Sequence, residues 1–250
     1  MQGAEPFAHP GGPGGALVLH GFTGNPQSMR PIAEALAIQG LTVDLPLPPG
    51  HGTDPSDIVD KRWADWSTAA DDALSDLESR CDAVVVVGLS VGGTLACWLA
   101  ERHPEVCGIA VVNPMVEPPA ESLRDLAKSM IDAGETFAPG VGSDIAKPGI
   151  AELAYPGLPL EAALSLFEGV AEVASGLATI SCPVLVLTSI QDHVVPPSSS
   201  DLLVKSVSGP VEQVFLERSY HVATLDYDAE EVTGRVVAFA RSLVGHEPAK

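Results

Sequence analysis

The chain has 250 residues, 46% of them hydrophobic and 18% charged, with a formal net charge of −20. That length and apolar content suit one well-buried core; they exclude a disordered chain and leave too little for two ordinary domains and a linker. The negative field repels phosphate backbones and anionic headgroups, which argues against nucleic acid as a partner and against tight docking on an acidic membrane.

Residues 1–15 carry neither a basic n-region nor an apolar h-region, so no signal peptide is expected. The Pro- and Gly-rich residues 6–15 are expected to be mobile. Residues 16–20 read as a strand, 29–39 as a helix closed by Gly40, and 41–45 as the next strand. Residues 63–80 read as an amphipathic helix, with Trp66, Ala70, Ala73 and Leu77 sharing one face. The valine run in residues 82–88 is the strongest strand signal, and its continuity implies burial on both faces of a parallel sheet. A helix over 90–101 and a strand over 108–113 follow. Further strands are expected at 183–188 and 211–217, and further helices at 199–207 and 229–244.

This alternation predicts a mainly parallel α/β sheet with helices on both faces. The rhythm breaks over residues 114–182, which show helical patterns at 122–133 and 159–177 and no buried strand run. We read 1–113 together with 183–250 as the α/β core and 114–182 as a small helical cap lying over it. No apolar stretch approaches the roughly 20 residues of a membrane-spanning helix. The four cysteines, Cys81, Cys97, Cys107 and Cys182, show no CxxC spacing. Reduced thiols and a cytoplasmic setting are the expectation.

Gly88-Leu-Ser-Val-Gly92 matches G-x-S-x-G between the valine strand and a helical pattern. That is the context of a nucleophile elbow, in which a tight turn lifts the serine hydroxyl clear of the sheet and sets it at a helix N-terminus. A serine hydroxyl needs a base. Of the seven histidines, His9 and His246 fall in terminal segments, His103 falls at a helix end, and His20, His51 and His193 fall in loops. His221 alone follows the last strand in the order nucleophile, acid, base that such an elbow takes. Asp192, just past the strand at 183–188, is the candidate acid that holds the imidazole tautomer; Asp201 is the alternative, inside a predicted helix. His20-Gly-Phe-Thr-Gly24 follows the first of these strands and would supply a second oxyanion donor, the N–H of Phe22, beside that of Val91. His20 and the Gly50-His-Gly52 turn are expected to brace loops. No metal-ligand cluster is visible, and this chemistry needs no cofactor.

Leu19-His-Gly-Phe-Thr-Gly24, Pro49-Gly-His-Gly-Thr53, Gly88-Leu-Ser-Val-Gly-Gly-Thr94, Asp192-His-Val-Val-Pro196 and Ser219-Tyr-His-Val-Ala-Thr-Leu-Asp226 together resemble the bacterial monoacylglycerol lipase and thermostable carboxylesterase family. The resemblance runs in order over nearly the whole chain. It implies an α/β-hydrolase fold, Ser90, Asp192 and His221 as a triad, Phe22 and Val91 as oxyanion amides, and a small cap. Family members usually carry methionine where this chain has Val91, which bears on the shape of the acyl pocket. Glu152 is similar in placement to a cap glutamate that meets the glycerol end of the substrate. Met115, Met130, Ile145, Leu153, Leu158 and Phe167, among other apolar residues of the insertion, are expected to roof an acyl chain, with Ile145 touching it. The substrate implied is a small acyl ester, foremost a monoacylglycerol or a short-to-medium-chain ester. Acyl transfer or perhydrolysis by the same triad, and a binding protein that has lost turnover, are the alternatives. Nothing in the sequence sets the oligomeric state.

Overall fold

The computed structural model describes residues 1–245. Its first half runs β1 (Phe7–His9), β2 (Gly14–Leu19), α1 (Arg30–Ile38), β3 (Thr42–Leu45), α2 (Trp63–Glu78), β4 (Ala83–Leu89), α3 (Val91–Arg102) and β5 (Gly108–Val112). It continues through α4 (Glu121–Asp132), β6 (Phe137–Pro139), β7 (Gly157–Pro159), α5 (Leu160–Gly176), β8 (Val184–Ser189), α6 (Pro197–Ser206), β9 (Val211–Leu216) and α7 (Ala229–Val244). The main sheet has seven strands in the order β1-β3-β2-β4-β5-β8-β9. Every pairing in it is parallel except that of β1 with β3.

The β2 and β4 side chains alternate between two cores, as the strand period of two requires. Leu17, Leu19, Val84 and Val86 face Trp66, Leu74, Leu77 and Leu95 of α2 and α3. Ala16, Val18, Val85 and Val87 face Ile32, Leu36, Val236 and Ala240 of α1 and α7. This two-sided burial is the physical content of the valine run. From β2 the chain crosses to β3 on one side of the sheet, then to β4 on the other. The carboxyl ends of β2 and β4 therefore flank a crevice at the point where strand order reverses, where open α/β sheets bind ligands.

Between β5 and β8 the chain leaves the sheet. β6 and β7 pair as a short antiparallel ribbon. Helix α5 buries Ala162, Leu166, Val170 and Val173 in the α2–α3 core. A side chain at Gly169 would meet the Trp63 indole at 2.1 Å, so glycine there lets the helix approach closely. By contrast, α4 leaves Leu123 and Leu126 exposed. No helix among the described residues is long and apolar enough to cross a membrane.

Residues 6–15 are built into the fold, against the expected mobility. Phe7–His9 adds an antiparallel edge strand to β3, and β2 begins at Gly14. The turn between them is held by Gly12 N–H on the Gly40 carbonyl (2.7 Å) and by the Thr42 hydroxyl, which accepts from Gly11 N–H and donates to the Gly12 carbonyl. A composition rich in Pro and Gly marks a turn as readily as a mobile segment, and here Thr42 decides between them.

Candidate active site

Ser90 follows β4 and precedes α3 with φ 57° and ψ −117°, outside the comfortable regions for a residue with a side chain. Such strain persists only where the surroundings impose it. Ser90 N–H donates to the Val112 carbonyl (2.9 Å), and the Ser90 carbonyl accepts from Thr94 N–H (3.1 Å) and Met115 N–H (3.3 Å). The Cβ that Gly88 lacks would lie 2.1 Å from the Gly92 carbonyl oxygen, and that of Gly92 would lie 2.2 Å from the Leu19 carbonyl oxygen. The elbow folds because those two positions carry no side chain. Ser90 ends 8% exposed at the head of α3.

His221 lies past β9 and Asp192 past β8, 29 residues apart in sequence. Their side chains meet, with His221 Nδ1 2.7 Å from Asp192 Oδ2. The Asp192 side chain is 1% exposed and that of His221 9%. The other carboxylate oxygen, Asp192 Oδ1, accepts from Val194 N–H and Val195 N–H, both at 2.8 Å. An ionised carboxylate only accepts, so Nδ1 carries the imidazole proton and Nε2 is left as the basic nitrogen. Asp201, the alternative acid, sits on α6 with its Oδ1 3.5 Å from Gln213 Nε2 and takes no part in this pair. His9 lies in β1, His103 is the C-cap of α3, and His246 lies outside the described residues.

The segment after β2 comes alongside the elbow. A Cβ on Gly21 would stand 3.8 Å from Ser90 Oγ, so this turn runs directly past the hydroxyl. Thr23 has φ 61°, and Gly24 N–H closes on the Gly21 carbonyl. His20 Nδ1 is 2.9 Å from that same carbonyl and donates to it, which polarises the peptide whose other end is the Phe22 N–H. Val91 opens α3, where the first N–H groups have no partner within the helix. Behind the loop, His20 and His51 are 3% and 4% exposed; they pack edge to face on each other, and His51 also packs so on Phe22 and Trp66. Burial pulls the His20 pKa down to about 3 and that of His51 to about 4, so both are neutral braces.

Ser90, Val91, Phe22 and His221 open on one cavity of about 200 Å³, whose other walls include Met115, Leu158 and Phe167. Glu152 reaches it from the insertion and sits against Gly24, whose Cβ would be 2.9 Å from Glu152 Oε1. Burial pushes the Glu152 carboxyl up, partly offset by His221 and the Ser28 hydroxyl. Ile145 does not line the cavity. It packs half-buried against the core on the α1–α7 side of the sheet, because the chain around it turns toward the 219–228 loop. Val141, 64% exposed, and Leu123 border the cavity in its place.

Three further residues carry the site without a signal that singled them out. Asn113 (φ 46°) donates from its amide to the His221 carbonyl (2.7 Å) and accepts Ser189 N–H (2.7 Å), locking the ends of β5 and β8 to the histidine loop. Its one legible trait was an asparagine at a strand end, the residue type most tolerant of a left-handed backbone after glycine. Tyr155, 3% exposed, donates its hydroxyl to the Gly50 carbonyl (2.8 Å) and its N–H to the Thr23 carbonyl (3.0 Å), pinning the insertion to the Gly21–Gly24 loop. Asp144 accepts His221 N–H at 3.0 Å. Among the described residues, Glu78, His103 and Glu105 are spaced as metal ligands could be, but they lie at the far end of α3 from Ser90.

A profile of the Alpha/beta hydrolase family matches residues 16–235. The chain is 42% identical to the thermostable monoacylglycerol lipase of Bacillus sp. (strain H-257), over 96% of this chain and 95% of that protein. It is 26% identical to a carboxylesterase of Bacillus subtilis (strain 168), over 96% and 97%. A solved structure from work on LipS and LipT, two metagenome-derived lipolytic enzymes, superposes with a TM-score of 0.93 at 40% identity, over 97% of this chain and 99% of that one.

Proposed function

Since this chain belongs to the alpha/beta hydrolase family, we propose that it cleaves carboxylic esters with Ser90 as nucleophile, His221 as general base and Asp192 as the orienting acid, with residues 114–182 forming a cap over them. The observation that carries this reading is the buried 2.7 Å Asp192–His221 bond opening on the same cavity as the strained Ser90. In the first step His221 Nε2 takes the Ser90 proton as Oγ attacks the ester carbonyl carbon. The oxyanion lies on the N–H groups of Phe22 and Val91, each worth roughly 3–4 kcal/mol of barrier. Asp192 stabilises the imidazolium, which returns its proton to the departing alcohol. Water, deprotonated by His221, then hydrolyses the acyl-enzyme. The oxyanion donor at Val91 is a backbone group, so a valine there leaves this step intact and alters only the pocket wall.

Largely apolar walls with the Asp144 and Glu152 carboxyl groups at one side suit an amphiphile with a single acyl chain. We assign the alcohol end to Glu152, whose carboxyl borders the same cavity and can accept from a glycerol hydroxyl. The substrate is accordingly a monoacylglycerol or a short-to-medium-chain acyl ester. The named relatives, a monoacylglycerol lipase and a carboxylesterase, support that class. Four unpaired thiols in an acidic chain suit a reducing compartment, and we place the enzyme in the cytoplasm. The test is kcat/KM on p-nitrophenyl esters of graded length and on mono- and triacylglycerols, with fluorophosphonate labelling of Ser90. Monoacylglycerol should be strongly preferred. Equal rates on emulsified triacylglycerol would overturn the substrate reading, and an unlabelled, inactive chain would overturn the enzyme.

A further inference from the structure

The insertion touches the histidine loop through two carboxylates that reach in opposite directions. From the insertion, Asp144 Oδ2 accepts His221 N–H (3.0 Å) and His193 N–H (3.2 Å), while its Oδ1 is 2.9 Å from His193 Nδ1. The Asp144 backbone carbonyl accepts Val222 N–H at 3.1 Å. From the loop, Asp226 Oδ2 accepts Ala146 N–H (2.7 Å) and Tyr220 N–H (2.9 Å), and its Oδ1 accepts Lys147 N–H (2.9 Å) and Tyr227 N–H (2.7 Å). Asp226 is 2% exposed and the Asp144 side chain 13%.

The N–H groups of three consecutive residues, Tyr220, His221 and Val222, therefore end on acceptors that bind residues 144–147 to the loop. One of the three belongs to the histidine itself, and the same Asp144 carboxylate holds His193, the neighbour of Asp192. A single side chain of the insertion thus spans the loops that carry both members of the His–Asp pair. Hydrogen bonds to a charged acceptor are the strong kind, and a buried N–H left without one is costly.

We propose that Asp144 is a positioning residue for the reaction: it fixes the height and turn of the His221 backbone relative to Asp192, so that this edge of the insertion is part of the catalytic frame and moves with the histidine. The inference rests on the triad reading above. It also implies that the cavity opens on its α4 and Val141 side, where the insertion lies exposed.

The experiment compares Asp144→Ala and Asp144→Asn with the parent chain on p-nitrophenyl butyrate and a monoacylglycerol. Misplacing a catalytic group by about 1 Å costs on the order of 100-fold. The alanine variant should lose about that much kcat on both esters with KM little changed, and the asparagine, which keeps one acceptor oxygen and the volume, should fall between. The strongly deshielded imidazole N–H proton of the His221–Asp192 bond, read by NMR, should weaken in the same order. If the alanine variant does not fold, the asparagine decides. An unchanged kcat with a raised KM would make Asp144 only a wall of the pocket. A fallen kcat with the deshielded proton intact would also overturn the proposal. A parent chain inactive on every ester would instead sink the triad reading itself.

Discussion

The two sides of the cavity are built on different principles. The sheet side is held by backbone: Ser90 by the Val112, Thr94 and Met115 peptides, Asp192 by two N–H groups, and the elbow by glycines where no Cβ fits. The insertion side is held by side chains reaching across: Tyr155 to Gly50, Asp144 to His221, and Gln27 to Leu153 N–H. Backbone constraint leaves a local mark in the sequence, because it demands particular residue types at fixed spacing. Side-chain reach leaves none. The sheet side is therefore assigned the chemistry and the insertion side, Asp144 apart, the choice of substrate.

That division is broken or sharpened first by the largest effects. Ser90→Ala should remove ester turnover by roughly 10⁶-fold, as expected for a triad nucleophile, while the melting temperature stays within a few degrees. Asp192→Asn should lose on the order of 10⁴-fold in kcat through the wrong imidazole tautomer. Both should act equally on short esters and on monoacylglycerol. A variant on the sheet side that changed chain-length preference without changing kcat would break the division.

Elsewhere on the insertion side than Asp144, the expected effects are smaller and fall on KM. Glu152→Gln should raise KM for a monoacylglycerol by about tenfold, the worth of one hydrogen bond, and leave p-nitrophenyl butyrate nearly unchanged. Equal losses on both esters would mean that Glu152 acts on the triad through its nearness to His221. Val141→Trp should raise KM for long acyl chains more than for short ones. Ile145→Ala should leave chain-length preference alone and cost about 1–2 kcal/mol of stability as a half-buried core contact.

The contrast also explains what could be read from the sequence. The strands and helices of the core, the elbow, and the meeting of Asp192 with His221 rest on period-two burial, a Gly-x-Ser-x-Gly turn and chain order, all visible in one line of letters. Val141 and Ile145 are both apolar residues of the insertion, and nothing in their neighbourhood says which faces the cavity. That is decided by the bonds from Asp226 to Ala146 and Lys147, across 80 and 79 residues. The edge strand Phe7–His9 leaves no local mark for the same reason, since it rests on β3 and the turn after it on Thr42 and Gly40.

The smallest predicted effect lies on the seam between the regions. Glu101, near the end of α3, abuts Gly176 at the end of α5, where a Cβ would meet the carboxyl carbon at 2.6 Å. Its side chain is 6% exposed, and among the described residues Oε1 has no hydrogen-bond partner. Burial lifts its pKa from 4.5 to about 7, against the pull of Arg102 on Oε2 and with a further push from Glu172. A carboxyl whose folded pKa is raised favours the folded state in its protonated form. The contribution is full below pH 4.5 and is lost as the pH climbs through 7. Glu101→Gln fixes the neutral form. At pH 8.5 the variant should be more stable by about 1–2 kcal/mol, discounted for solvent and Arg102 near Oε2, or roughly 2–6 °C in Tm. At pH 4, below the unfolded pKa, the two should melt nearly together. If the Arg102 pair dominated instead, glutamine would lower Tm at every pH, and the seam would be an ion pair rather than a buried acid.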